Sequence, residues 1–154
     1  MPNWCMNDVK LSHEDPEVFK QVVESLEKME EYMLFRTLVP DYQYREAHEV
    51  DFSVEDDTIH LNFDSAWSPP EDVYEYLEKQ GWNVWATYYE PGMEIAGIGE
   101  GSDLRQFHDI FSITEEDLES DPDLKETVEH WNIMEEIEQM REDEDEEEDE
   151  DVYE

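Results

Sequence analysis

Forty-seven carboxylates against nine Lys and Arg leave this chain of 154 residues with a formal net charge of −38, and any fold it adopts must work against that repulsion. The most visible part is EDEDEEEDED, Glu142 to Asp151. Yet residues 142–154 hold only 11 of the acids, and the other 141 residues still carry a net charge of −27. The charge belongs to the whole chain. Hydrophobic residues make up 38% and aromatics 12%, with five Trp, eight Tyr and six Phe, far more than an acidic disordered chain would hold. The sequence therefore implies a folded body with a real core and a disordered acidic tail.

The N-terminus MPNWCMNDVKLSHED has no basic, hydrophobic leader pattern, and no apolar run is long enough to span a membrane. A soluble, cytoplasmic protein is the expectation. The lone cysteine, Cys5, excludes an internal disulfide and fits a reducing compartment. Nucleic acid and anionic membranes should be repelled, and a basic protein attracted in a salt-dependent way.

Residues 3–12 alternate through Val9 and Leu11 as a first strand. Asp15-Pro16 opens a helix, with Asp as N-cap and Pro at its first position. Its apolar stripe is Val18, Phe19, Val22, Leu26 and Met29, and its wet face carries Glu17, Glu24, Glu27, Glu30 and Glu31. Met33 to Val39 reads as a short strand or extended connection, and Pro40 to Ala47 as loop. EVDFSV (49–54) and TIHLNFD (58–64) alternate around Glu55-Asp56-Asp57, which predicts a hairpin. Ser68-Pro69-Pro70-Glu71 opens a second helix bearing Val73, Tyr76 and Leu77, closed by Gly81. WNVWATYYE (82–90) is rich in strand formers, Pro91-Gly92 suits a type II turn, and Met93 to Ile98 returns as the last strand. The order β-α-β-β-α-β-β begins as a split βαβ, ferredoxin-like pattern: an α+β fold with an antiparallel sheet and both helices on one face.

After Gly101 the texture changes. Thr114-Glu115-Glu116-Asp117 resembles a capping box, and Asp121-Pro122 starts a helix with the stripe Leu124, Val128, Trp131, Met134 and Ile137. This helix either docks on the domain, the reading we favour, or forms a homodimer or partner face. The expected organisation is a ferredoxin-like domain over 1–100, a helical extension over 101–141 and the acidic tail over 142–154.

Three stretches bear a family resemblance: PNWC followed by Asn7, AWSPPEDV at 66–73, and YYEPGMEIAG at 88–97. In this order they resemble the YubB-type ferredoxin-like family of phages, plasmids and other mobile elements. The resemblance spans roughly 1–100 and implies the ferredoxin-like fold and a phage or mobile-element origin. It carries no activity and no catalytic residues, and it does not extend to residues 101–154 or to the extreme acidity.

No enzyme signature is present, and no cofactor or metal is expected. Cys5 beside Trp4 on a strand suits a buried small hydrophobe better than a nucleophile partnered by His13, His48, His60, His108 or His130. The glycines of AGIGEGSD (96–103) lie among Glu94, Glu100 and Asp103, which would repel a phosphate, so a strand end and turn fit better. EF-hand, HExxH and CxxC spacings are all missing. One cysteine cannot hold an iron–sulfur cluster. Trp4, Trp67, Trp82, Trp85, Tyr88 and Tyr89 lack the basic groove that stacking on nucleic acid needs.

A compact chain of this size is about 40 Å across. Duplex DNA of that length carries about 24 phosphates, close to the −27 of the body. The leading expectation is a DNA mimic from a phage or mobile element. It would occupy the basic nucleic-acid groove of a host defence effector, of the restriction or CRISPR kind, or of a chromatin-type protein. Its candidate contacts are Glu17, Glu24, Glu27, Glu31, Glu71, Asp72, Glu75, Glu78, Glu115, Glu116, Glu119, Asp123, Glu126 and Glu129. The rivals are an acidic assembly or chaperone-like protein that shields a basic partner through its tail, and a halophile-adapted accessory domain. Glu outnumbers Asp 30 to 17 and Ala occurs only four times, which weighs against the halophilic reading.

Overall fold

The computed structural model describes the backbone of residues 2–152 and the side chains of residues 2–145. It is an α+β protein built on one antiparallel six-stranded sheet. The strands are β1 (Trp4–Ser12), β2 (His48–Glu55), β3 (Thr58–Ala66), β4 (Asn83–Glu90), β5 (Ile95–Glu100) and β6 (Asp103–Phe107), in the spatial order β2-β3-β1-β4-β5-β6. The helices are α1 (Pro16–Lys28), α2 (Leu34–Leu38), α3 (Glu71–Lys79), α4 (Glu115–Ser120), α5 (Pro122–His130) and α6 (Ile133–Val152).

Local chemistry sets most boundaries. Asp15 caps α1 by accepting from Glu17 N at 2.9 Å, with Pro16 at the first helical position. Gly81, at φ 92°, carries the chain out of α3 in the left-handed conformation that only glycine adopts cheaply. Thr114 and Asp117 close a reciprocal capping box on α4, and Asp121 caps α5 through Leu124 N. Asp56, at φ 51°, turns the β2–β3 hairpin.

Period-2 alternation then sorts side chains between the two faces of the sheet. Val9, Leu61 and Ala86 stand side by side across β3, β1 and β4, as do Leu11, Ile59 and Val84. This face is covered by α1, α2 and α3, whose Leu26, Leu34, Phe35, Leu38, Val73, Tyr74 and Leu77 complete the main core. The opposite face is covered over β1, β4 and β5 by the C-terminal helices. Tyr89 and Ala96 pack there with Ile110, Ile113, Leu124, Val128, Ile133 and Ile137 in a second core, with Met6 and Trp131 at its margin. The C-terminal helices thus dock on the sheet, and helices lie on both of its faces.

Several local expectations are corrected. The segment read as a strand or extended connection at 33–39 is a turn of 3-10 helix followed by α2, because Leu34, Phe35 and Leu38 fall on one helical face above the core. Pro91-Gly92 forms a 3-10 turn, not a type II turn, and the left-handed residue is Glu94 at φ 56°. Gly92 packs against the Asn3 side chain, whose Oδ1 would lie 2.6 Å from an added Cβ and would have to turn away. The sheet gains β6, which pairs with β5 from Ala96↔Phe107 to Glu100↔Asp103 and so carries the sheet past residue 100. The single C-terminal helix is divided at Asn132, whose φ of 54° separates α5 from α6. The tail, expected to be disordered over 142–154, continues the helical backbone of α6 to Val152. Its side chains beyond Asp145 and residues 153–154 lie outside the described part.

Candidate partner-binding surface

All fourteen acids singled out from the sequence are exposed. The sheet divides them. Glu17, Glu24 and Glu27 on α1, Glu31 just after it, and Glu71, Asp72, Glu75 and Glu78 on α3 stand on one side. Glu115, Glu116 and Glu119 on α4, and Asp123, Glu126 and Glu129 on α5, stand on the other. The structure therefore brings them together as two groups and not as one array.

Some of these acids are already engaged. Glu75 pairs with Lys79 at 3.1 Å, Glu78 accepts from Ser102 N at 2.7 Å, and Asp72 accepts from the Tyr42 hydroxyl at 2.9 Å. Asp123 shares Arg105 with Asp121, whose carboxyl that guanidinium holds below the usual range. The others have no side-chain partner among the described residues.

The two sides differ in charge density. On the α1–α3 side, Lys20, Lys28, Arg36 and Lys79 interrupt the acids. On the C-terminal side, residues 114–145 carry 15 acids and only Lys125 and Arg141 as bases. Sequence reasoning missed the strongest part of this surface, α6. With residues 142–154 expected to be disordered, most of its acids had no geometry. As a helix of 20 residues it is about 30 Å long. It carries 13 acids and one Arg, against about 18 phosphates on the same length of duplex. Its first described turns expose Glu135, Glu138 and Glu142 to Asp145, while Glu136 accepts from the Tyr89 hydroxyl.

What fixes this helical unit to the sheet is partly polar. Asp8, buried on β1, receives a hydrogen bond on each carboxyl oxygen: Oδ1 from His60 Nε2 on β3, and Oδ2 from His130 Nε2 on α5 at 2.6 Å. Burial pushes the Asp8 carboxyl up, but the hydrogen bonds and charges of His130 and His60 together outweigh it and hold it below the usual range. Beside this clamp, Trp131 Nε1 donates to Thr87 Oγ1 at 3.0 Å, and the Trp85 ring contacts both the Lys10 ammonium and the His130 imidazole.

The three stretches that carry the family resemblance converge at one end of the sheet, where Trp4 pairs with Ala66 and Met6 with Tyr89. Asn7 Nδ2 donates to Cys5 O, Phe63 O and Ser65 Oγ, and Trp67 N donates to Asn3 O at 2.7 Å. Arg45 donates to the carbonyls of Ala66, Ser68 and Pro69 and pins the loop that leads into α3. Burial, reinforced by Glu90, pushes the Cys5 thiol up to about 12 against the opposing Ser65 hydrogen bond and Arg45, so it stays protonated at neutral pH. Trp67, at φ 70°, is exposed here beside Trp4.

Among the described residues, no three His, Cys, Asp or Glu side chains are grouped to hold a metal ion, and no helix is long and apolar enough to cross a membrane. Fold and surface together define an acidic α+β protein whose carboxylates are concentrated on a helical unit docked against one face of its sheet. Set against protein-family models, curated proteins and solved structures, the chain matches none.

Proposed function

We propose that this protein is a nucleic-acid mimic that blocks the basic groove of a DNA-binding protein, with the α4–α6 side as the surface that enters the groove. One observation carries this reading: a run of exposed acids continues from α4 through α5 into a 20-residue helix whose linear charge approaches two-thirds of that of duplex DNA. Acids at i, i+3 and i+4 on such helices lie about 5–6 Å apart, within reach of Lys and Arg side chains set out for phosphates. Occupancy requires no reaction.

The strand order β2-β3-β1-β4, with α1 and α3 on one face, supports a ferredoxin-like core extended by β5 and β6. The meeting of the three resembling stretches at one end of that core supports a YubB-type relationship. With it goes a phage or mobile-element origin, and a target among host defence effectors or chromatin-type proteins in the host cytoplasm.

The test is retention of basic proteins from a bacterial lysate at low salt, elution along a salt gradient, identification by mass, and competition of the recovered partner with duplex DNA. A mimic and DNA exclude each other; a ternary complex refutes the reading. Replacing Glu115, Glu116, Glu119, Glu126 and Glu129 by Gln should weaken competition, whereas the same change at Glu17, Glu24, Glu27 and Glu75 should leave it. Deleting residues 142–154 should weaken binding and flatten its salt dependence without ending it. Complete loss on that deletion alone would instead favour a tail that shields a basic partner.

A further inference from the structure

Glu90 ends β4 on the face that α1–α3 cover. One step beyond the Met6–Tyr89 pair it stands opposite Cys5, which in turn pairs with Ser65 on β3. The residue is 0% exposed, and neither carboxyl oxygen has a hydrogen-bond partner. The Tyr74 hydroxyl, from α3, is buried and unpartnered as well. The ionisable and charged groups around this end of the core are Cys5 on β1, Asp64 on β3, Tyr88 on β4, Tyr74 and Glu71 on α3, and Arg45 in the connection before β2. No cation offsets Glu90. Burial alone moves its carboxyl, and moves it above the ordinary carboxylate range. An ionised carboxylate in this place would lose its water and gain nothing in return.

The nearest route to water is the turn that follows. Gly92, Met93 and Glu94 are exposed, and Glu94 sits in the left-handed region. The turn is closed by Glu94 N donating to Pro91 O at 3.1 Å and by Ile110 N donating to Glu94 O at 3.0 Å. Gly92 lies against the Asn3 side chain. Opening the turn also parts Glu90 from its ladder partner Ile95 and frees the end of β4 from the start of β1.

We propose that the 90–95 segment is a proton-controlled latch, closed over Cys5 while Glu90 holds its proton and opening when that proton leaves. Closed, the carboxyl binds its proton more tightly than an ordinary glutamate; open, it titrates as an ordinary glutamate would. The closed state therefore binds more protons, and its advantage falls as pH rises from the open-state value to the closed-state value, then levels off. Across that window each pH unit shifts the open-to-closed ratio by up to about tenfold.

Cys5 is the only cysteine and is 0% exposed, so the chain carries its own reporter. The experiment alkylates the full-length protein with iodoacetamide across pH 5.5 to 8.5. Each rate is divided by that of the denaturant-unfolded chain at the same pH, which removes the thiol's own titration. Wild type should show a normalised rate that climbs with pH and then flattens, while Glu90→Gln should stay level and fall below wild type at the alkaline end. A level wild-type profile overturns the latch, and so does a parallel climb in Glu90→Gln, which would place the titrating group elsewhere. A climb accompanied by loss of far-UV circular dichroism also overturns it, because the event would then be global unfolding. If Glu90→Gln does not fold, Glu90→Met serves as the non-titrating control, and the wild-type profile with its dichroism remains decisive.

Discussion

Truncating Ile133 to alanine asks whether the acidic helical unit is part of the cooperative fold or an attachment to it. Ile133 is fully buried at the start of α6, in the cluster formed by Tyr89, Ala96, Leu124, Val128 and Ile137. Removing a side chain of this size from a closed core costs about 2–5 kcal/mol, the higher figures applying where neighbours cannot collapse into the space. The total stability of a folded domain is about 5–15 kcal/mol, so the loss should move the unfolding midpoint visibly. Urea is the right denaturant, because guanidinium would also screen the surface charge. Unfolding should be followed both by Trp fluorescence, to which Trp131 contributes through its contact with Thr87, and by far-UV circular dichroism. The expectation is a lower midpoint, an unchanged slope and coincident curves from the two probes. A loss under about 1 kcal/mol, or a separate early transition seen by one probe alone, would refute a docked, cooperative α4–α6.

The Asp8 clamp predicts a pH signature. Because the folded carboxyl titrates below its unfolded value, its contribution is present above about pH 4 and fades as pH falls through the folded value. Asp8→Asn should therefore destabilise the protein by about 1.5–3 kcal/mol near pH 7, the range for hydrogen bonds to charged groups. The penalty should shrink below pH 4, and urea melts at the two pH values check it. Salt should raise the melting temperature. Going from about 0.01 M to 1 M shortens the screening length from about 30 Å to 3 Å. The Lys and Arg ion pairs among the described residues are confined to Lys79–Glu75 and Arg105 with Asp121 and Asp123, so screening removes far more repulsion than attraction. A melting temperature that does not move with salt would refute this.

The helix starts at Asp15-Pro16, Thr114 and Asp121-Pro122 could be read directly, because a cap is a bargain between residues two or three apart. The alternation of TIHLNFD could be read for the same reason, and it became β3. LFRTL could not, since a short apolar run suits a strand or a buried helix equally well, and packing over Phe63 and Leu61 decided it. DLRQF gave no strand signal because β6 is a mostly exposed edge strand whose order comes from pairing with β5. Asn132 was the one readable sign that the C-terminal helix breaks, since Asn tolerates the left-handed conformation.

By itself the sequence determined the excess of negative charge, the main strands and helices and their caps, all properties of composition or of near neighbours. Only the tertiary structure decided that the candidate acids fall on two sides of a sheet, that Asp8 is held between two histidines from distant segments, and that among the described residues Glu90 is the carboxylate sealed in with no partner. Those outcomes depend on strand register and on which helix covers which face. A one-residue shift in register would carry Glu90 to the opposite face, and no local pattern of residues records that choice.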